Sequence, residues 1–193
     1  MNMQKKWALA SASPRRKELL STLIGEFEII PSKGEEKTAE STSENIVKSL
    51  ARQKAEEVFS YPENKEKIVL GADTVVALDG KILGKPKDKE EAFQMLSALS
   101  DRTHQVYTGV CILFMKNGEK QTILDADCTK VTFNKLSNEW INEYIASGSP
   151  MDKAGAYGIQ DGGLAKSIEG SFSNVVGLPV ELVEKMIKQV LSD

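Results

Sequence analysis

The sequence has little of the chemistry on which disulfide scaffolds, zinc clusters and catalytic triads are built: two cysteines and one histidine in 193 residues. Cys111 and Cys128 fall in strand-like segments without a CxxC pattern or a Cys/His cluster, which argues against a zinc site or a redox pair. Both are read as packing residues in a reducing compartment. His104 stands at the start of an expected strand with no Ser or Cys motif near it, so it is read as structural. A His-rich metal centre is thereby excluded, leaving carboxylates with a hard divalent cation such as magnesium or manganese.

Long apolar runs are also missing. No stretch approaches the ~20 apolar residues of a membrane-spanning helix. The basic opening, Met1 to Lys6, is followed by Trp7 to Ala10, which is too short for the hydrophobic part of an export signal. The expectation is a cytoplasmic protein that engages no membrane. Neither sign of charge dominates, since 28 acidic against 25 basic residues give a net charge of -3. Long-range attraction to a nucleic acid polymer is therefore weak, and any phosphate binding has to be local. With 40% hydrophobic and 27% charged residues the composition is globular, and the length suits one domain over residues 1–193.

What is present alternates between strand and helix. Trp7 to Ala10 reads as a buried strand, then Ser13 as an N-cap with Pro14 at the first helical position. Phe27 to Ile30 reads as a second strand. Ser41 to Glu44 has the wording of a capping box before a helix with inner face Ile46, Val47, Leu50, Ala51, Ala55 and Val58. A strand from Ile68 is expected to end at Gly71-Ala72-Asp73-Thr74, after which Asp79-Gly80 turns a hairpin. Asp88 and Glu91 cap a helix carrying Ala92, Met95, Leu96 and Leu99. Asn117-Gly118 turns a long hairpin within residues 105–133, a further helix stops near Gly148, and a last one follows Pro179. This order predicts an α/β fold with a mixed sheet.

Several segments carry functional chemistry. Ser11 to Arg16 lies where a strand hands over to a helix, so free amides and two guanidinium groups point the same way, as anion binding requires; a capped helix with solvated arginines is the alternative. Asp73, at the expected strand end, can hold a cation or orient water, or be a turn aspartate bonded to its own backbone. The loop Gly34-Glu35-Glu36-Lys37 adds carboxylates. Gly80 to Pro86 imitates a phosphate-binding P-loop, but its glycines are too close and Pro86 replaces Ser or Thr, so that reading is rejected and only Lys85 is kept as a phosphate contact. Lys54, on a charged helix, reads as a solvated face. The Gly-rich segment from Pro150 to Gly163 carries Asp152, Lys153, Tyr157 and Gln160 on a backbone that can approach a ligand, and a glutamine amide can pair with a base edge.

Together, Leu9 to Leu20, Gly71 to Val76, Leu83-Gly84-Lys85-Pro86, Thr108-Gly109-Val110, Asp152 to Gln160 and Val175 to Pro179 resemble, in order and wording, the Maf family of nucleotide pyrophosphatases. The resemblance implies a twisted mixed sheet in two lobes around a cleft, like the inosine triphosphate pyrophosphatases, and a homodimer. It implies hydrolysis of a nucleoside triphosphate to the monophosphate and pyrophosphate. The wording Asp-Lys-Ala-Gly-Ala-Tyr-Gly-Ile-Gln is similar to the branch acting on dTTP and UTP. Carried over, Asp73 is the proton acceptor; Arg15, Thr74 and Gln160 tune substrate choice; Ser11, Arg16, Lys54 and Lys85 contact phosphate, with Lys153 added as a substrate contact. Glu36, with Glu35 as the alternative, joins Asp73 at the divalent metal. The sequence departs from the pattern between Gly163 and Phe172, where the wording is more polar than the expected strand. A second class of function is a nucleotide-binding regulator of septum formation without essential catalysis.

Overall fold

The computed structural model describes residues 6–192; Met1 to Lys5, most of the basic opening considered above, lie outside the described residues. Seven strands form one mixed sheet in the order β2-β1-β3-β5-β6-β7, with β4 pairing to β3 off that path. β1 (Trp7–Leu9) runs parallel to β2 (Phe27–Ile29) on one side and to β3 (Ile68–Leu78) on the other. The remaining pairings are antiparallel: β3 with β4 (Lys81–Leu83) and β5 (Thr103–Lys116), β5 with β6 (Glu119–Phe133), and β6 with β7 (Ala165–Glu169).

Local chemistry explains the boundaries. α1 (Pro14–Ser21) begins where the Ser13 side chain accepts from Arg16 N and Pro14 occupies the first turn. α2 (Ser43–Ser60) is capped by Thr42, which accepts from Asn45 N at 3.3 Å. The cap is thus one residue later than the Ser41–Glu44 pattern predicts, and Glu44 pairs with Lys48 one turn on instead of closing a box. α3 (Lys89–Leu99) has the predicted Asp88 cap, with Glu91 N bonded to Asp88 at 2.8 Å and the Glu91 carboxylate returning to Lys87 N at 2.6 Å. Both hairpins turn through positive φ, at Asp79 (51°) and Gly80 (75°) and at Asn117 (52°) and Gly118 (82°), as type I′ geometry demands. α4 (Asn138–Ala146), α5 (Phe172–Val176) and α6 (Val180–Leu191) complete the chain.

Two expectations change. β3 does not stop at Gly71 to Thr74; it continues to Leu78, which places Asp73 in mid-strand and rules out the turn aspartate. The polar stretch after Gly163 is a strand after all: β7 is an edge strand with Ala165 and Ile168 half-buried and its other residues exposed, so its wording reflects a solvated edge.

β3, β5 and β6 are long enough to serve two packed lobes on one sheet. In the first, α1 and α6 set Leu20, Val183 and Met186 against Leu9, Leu70, Val110 and Ile112, while α2 packs Ala51, Ala55 and Val58 on the other face against Val69, Cys111 and Leu113. In the second, Leu96, Leu99 and Ile141 of α3 and α4 join Val76, Leu78, Val131, Phe133 and Tyr157. His104 belongs to this second core: its Nε2 lies 2.7 Å from the Tyr157 hydroxyl, its ring meets Phe133 edge-on at 4.8 Å, and burial lowers its pKa to about 4. Its structural reading stands. Cys111 is buried, with its thiol pKa raised to about 12 by desolvation, but Cys128 is exposed on β6 and is not a packing residue.

α2 lies unusually close to the sheet because two glycines open the way. A Cβ on Gly71 would stand 2.4 Å from Ala51 O, and one on Gly109 would stand 2.4 Å from Val47 C and O. Gly109 faces Asp73 directly in the β3–β5 register, so this approach also brings α2 to Asp73. Gly109→Ala is predicted to lower stability by about 1–3 kcal/mol through backbone overpacking, seen as a lower urea midpoint at unchanged m. An unchanged midpoint contradicts the close packing.

Candidate functional site

β1 ends at Leu9 opposite Leu70, with Ala10 N bonded to Leu70 O at 2.8 Å, whereas β4 joins β3 only from Val76 to Leu78. Between Gly71 and Val75 that edge of β3 therefore has no strand partner among the described residues, while β5 covers the opposite edge from Val69 to Ala77. Successive side chains of a strand point to opposite faces. Asp73 and Thr74 thus lie on the two sides of an open edge, and both line a cleft of about 710 Å³, within the size range of small-molecule sites.

On the α2 side, Lys54 donates to Asp73 Oδ1 at 2.6 Å and lies 3.0 Å from Glu36 Oε1. The Lys54 and Asp73 side chains are only 12% and 11% exposed, so the solvated-face reading of Lys54 is wrong. Glu35 instead pairs with Lys37 on the surface, and Glu36 is the loop carboxylate that lines the cleft. Two carboxylates arranged about one positive charge suit a hard divalent cation, whose other positions water and phosphate oxygens can fill. Among the described residues no three His, Cys, Asp or Glu side chains converge.

On the other side of β3, Arg16 is fixed from three directions: Nε donates to Gly177 O at 2.8 Å, Nη1 to Ser11 Oγ at 3.3 Å and Nη2 to Thr74 Oγ1 at 3.0 Å. Burial lowers its pKa and the charge of Asp73 opposes the change; a guanidinium stays protonated regardless. These bonds use three of its five N–H groups and leave two for an anion.

The Gly-rich segment forms the facing wall as a series of 3-10 turns. Gly155 adopts φ +68°, where an added Cβ would stand 3.0 Å from the Val76 side chain, and its N–H bonds to Gly84 O beside Lys85. Lys153 is held by Ser149 O (2.5 Å), Ser149 Oγ (3.1 Å) and Asp152 (2.9 Å), so this cation is committed to its own loop. Arg15 stands 3.7 Å from Asp152. Gln160 is exposed on the rim without a hydrogen-bond partner among the described residues. Next to it, Asp161 accepts from Tyr144 at 2.5 Å and from Ser149 at 2.7 Å, and Gly158 N bonds to the Tyr144 hydroxyl, which fixes the turn that presents Gln160. Burial, then the bond to Asp161, raises the Tyr144 pKa.

All the site residues singled out in the sequence, Ser11, Arg15, Arg16, Glu36, Lys54, Asp73, Thr74, Lys85, Lys153 and Gln160, line this cleft. Sequence reasoning gave no role to Asp152, which pairs with both Arg15 and Lys153, or to the Tyr144–Asp161 pair. Only a three-dimensional register could have joined Tyr144 on α4 to a turn beyond Gly158. The cleft gathers five cationic side chains against three carboxylates in a chain of net charge -3, a local positive field of the kind phosphate requires.

The description "Maf-like protein" matches residues 6–190 of the chain. A Clostridium perfringens protein named dTTP/UTP pyrophosphatase is 47% identical over 184 residues, which are 93% of this chain and 94% of that protein. Proteins of the same name from Agathobacter rectalis and Thermococcus kodakarensis are 49% and 50% identical, covering 94% and 92% of this chain and 96% and 93% of their own lengths. The solved structure of the Staphylococcus aureus Ham1 protein shares the fold with a TM-score of 0.51 at 15% identity, over 96% of this chain and 100% of that one. On the extent of these matches, the chain belongs to the Maf family.

Proposed function

We propose that the chain is a nucleoside triphosphate pyrophosphatase that prefers dTTP and UTP and releases the monophosphate and pyrophosphate. The observation that carries this reading is the open edge of β3. It sets a carboxylate pair about Lys54 on one side and the fixed Arg16 on the other, in a chain close to half identical to proteins named for this activity. That common name favours hydrolysis over nucleotide binding alone. The reading includes a soluble cytoplasmic setting, one domain over the whole chain, a homodimer and no nucleic acid polymer or membrane as partner. No helix among the described residues is long and apolar enough to cross a membrane.

In the proposed mechanism Asp73 orients a water toward the α-phosphorus and accepts its proton. Asp73 and Glu36 would hold magnesium or manganese, which supplies charge neutralisation at the triphosphate oxygens. Lys54 is then drawn from its carboxylate partners to phosphate, where Arg16, Lys85 and the Ser11 hydroxyl also make contact, and the leaving pyrophosphate departs with its charge offset. Arg15, Thr74 and Gln160 tune substrate choice, and Lys153 holds the wall on which Gln160 stands.

The test is a panel of nucleoside triphosphates with magnesium or manganese. UTP and dTTP are expected to be turned over in preference to ATP and GTP; no release of pyrophosphate from any of them overturns the reading. Asp73→Asn should keep the fold, because Lys54 retains Glu36, and lower kcat on the order of a hundredfold or more. Near-normal turnover would move the base to Glu36 or to the metal. Base choice has its own variant. A uracil or thymine edge offers two carbonyls about one N–H, which a glutamine amide can match in both directions, and unmatched polar groups on a purine are costly to bury. Gln160→Ala should narrow the UTP preference over GTP through kcat/KM with metal dependence unchanged. An unchanged UTP/GTP ratio removes Gln160 from base recognition.

A further inference from the structure

Beneath the cleft floor lies a hydroxyl that contacts no open space and has no part in the mechanism above. Thr108 of β5 is completely buried and faces Thr74 in the β3–β5 register. Its Oγ1 lies 2.9 Å from Thr74 Oγ1 and donates to Asn174 O at 3.0 Å. A hydroxyl has one hydrogen. With that of Thr108 given to Asn174 O, the contact between the threonines needs the hydrogen of Thr74. Thr74 Oγ1 then has only lone pairs left, and these accept from Arg16 Nη2 at 3.0 Å. The result is a one-way chain from Arg16 to Thr74 to Thr108 to the Asn174 carbonyl. Its far end is rigid, because Asn174 is itself buried and its Nδ2 donates to Val106 O and Thr129 Oγ1, both at 3.0 Å.

We propose that Thr108 is a positioning residue: by fixing the direction of the Thr74 hydroxyl it holds the Arg16 guanidinium in the orientation that meets phosphate. The catalytic half of this inference rests on the pyrophosphatase reading; the structural half does not. Thr74 Oγ1 also lies 3.5 Å from Gly177 O, the carbonyl that accepts Arg16 Nε. Without the Thr108 acceptor, the Thr74 hydrogen turns to that carbonyl, and this rotation carries the Thr74 lone pairs away from Arg16 Nη2. The same hydrogen count means that Thr74 has no donor to offer a base carbonyl, so its influence on substrate runs through Arg16.

The experiment uses the full chain with Thr108→Val, Thr108→Ser and, as a control, Thr129→Val. The control removes one of the two side-chain bonds that anchor Asn174, together with the Thr129 bond to Ser171 O, and leaves in place Asn174 Nδ2 on Val106 O and every bond from Arg16 to the Asn174 carbonyl. Two quantities are read: nitrogen-15 NMR of the Arg16 guanidinium without substrate, and kcat and KM for UTP with magnesium. Thr108→Val is expected to change the Arg16 Nη signals from slowly rotating to averaged and to lower kcat about ten- to a hundredfold, with KM within about threefold. Thr108→Ser should restore both, and Thr129→Val should lose stability but keep both. If Val cannot be accommodated, Thr108→Ala must give the same two changes. An Arg16 that stays fixed in Thr108→Val, or a kcat no lower than that of Thr129→Val, overturns the proposal. If the unaltered chain releases no pyrophosphate, the functional reading falls, and the NMR comparison still decides whether Thr108 holds Arg16.

Discussion

β1 stops at Leu9 while β3 runs on to Leu78, and this difference in strand length makes the cleft. A partner strand continued beyond Leu9 would cover the edge on whose two sides Asp73 and Thr74 stand. β5 keeps the strand straight and rigid on its other edge, so the open segment is held without being paired. Side chains placed this way lie on a continuous strand, whose backbone is a more exact support than a loop. Gly71 and Gly109 complete the arrangement, since only their missing Cβ atoms allow α2 to bring Lys54 within 2.6 Å of Asp73.

The electrostatics follow from this packing. Lys54 and Asp73 are almost withdrawn from water, and each would be costly to bury alone. Paired with each other and with Glu36, they form the cluster in which the proposed mechanism exchanges one cation for another when an anionic substrate arrives. Arg16 is treated differently: it is braced by a backbone carbonyl and two hydroxyls, none of them charged, and among the described residues no carboxylate pairs with it directly. The two faces of β3 thus carry distinct chemistry, an exchangeable charge cluster on one and a fixed cation on the other.

Much of this was legible in the sequence where a local rule decides the outcome. Asp79-Gly80 and Asn117-Gly118 announce their turns because few residue pairs tolerate positive φ, and Ser13 and Asp88 announce their helices through caps. The misreadings have a common cause in tertiary context. Gly71 looks like the end of a strand, yet it is there for the close approach of α2, and reading it as punctuation displaced Asp73 to a turn. Lys54 looks solvated in a charged helix, yet the same approach buries it. The residues from Ala165 to Glu169 look too polar for a strand because they form the sheet's edge. The Thr74–Thr108–Asn174 chain joins elements far apart in sequence, and no spacing rule could reveal it.

In the proposed mechanism Asp73 aims water at the phosphorus next to the nucleoside, so the bond broken is the decisive quantity. Turnover of UTP in oxygen-18 water, with the products resolved by mass spectrometry, reads it directly. Attack at the α-phosphorus puts the label in the uridine monophosphate and gives unlabelled pyrophosphate as the first products. Labelled orthophosphate with uridine diphosphate would place the attack at the terminal phosphorus and contradict that mechanism.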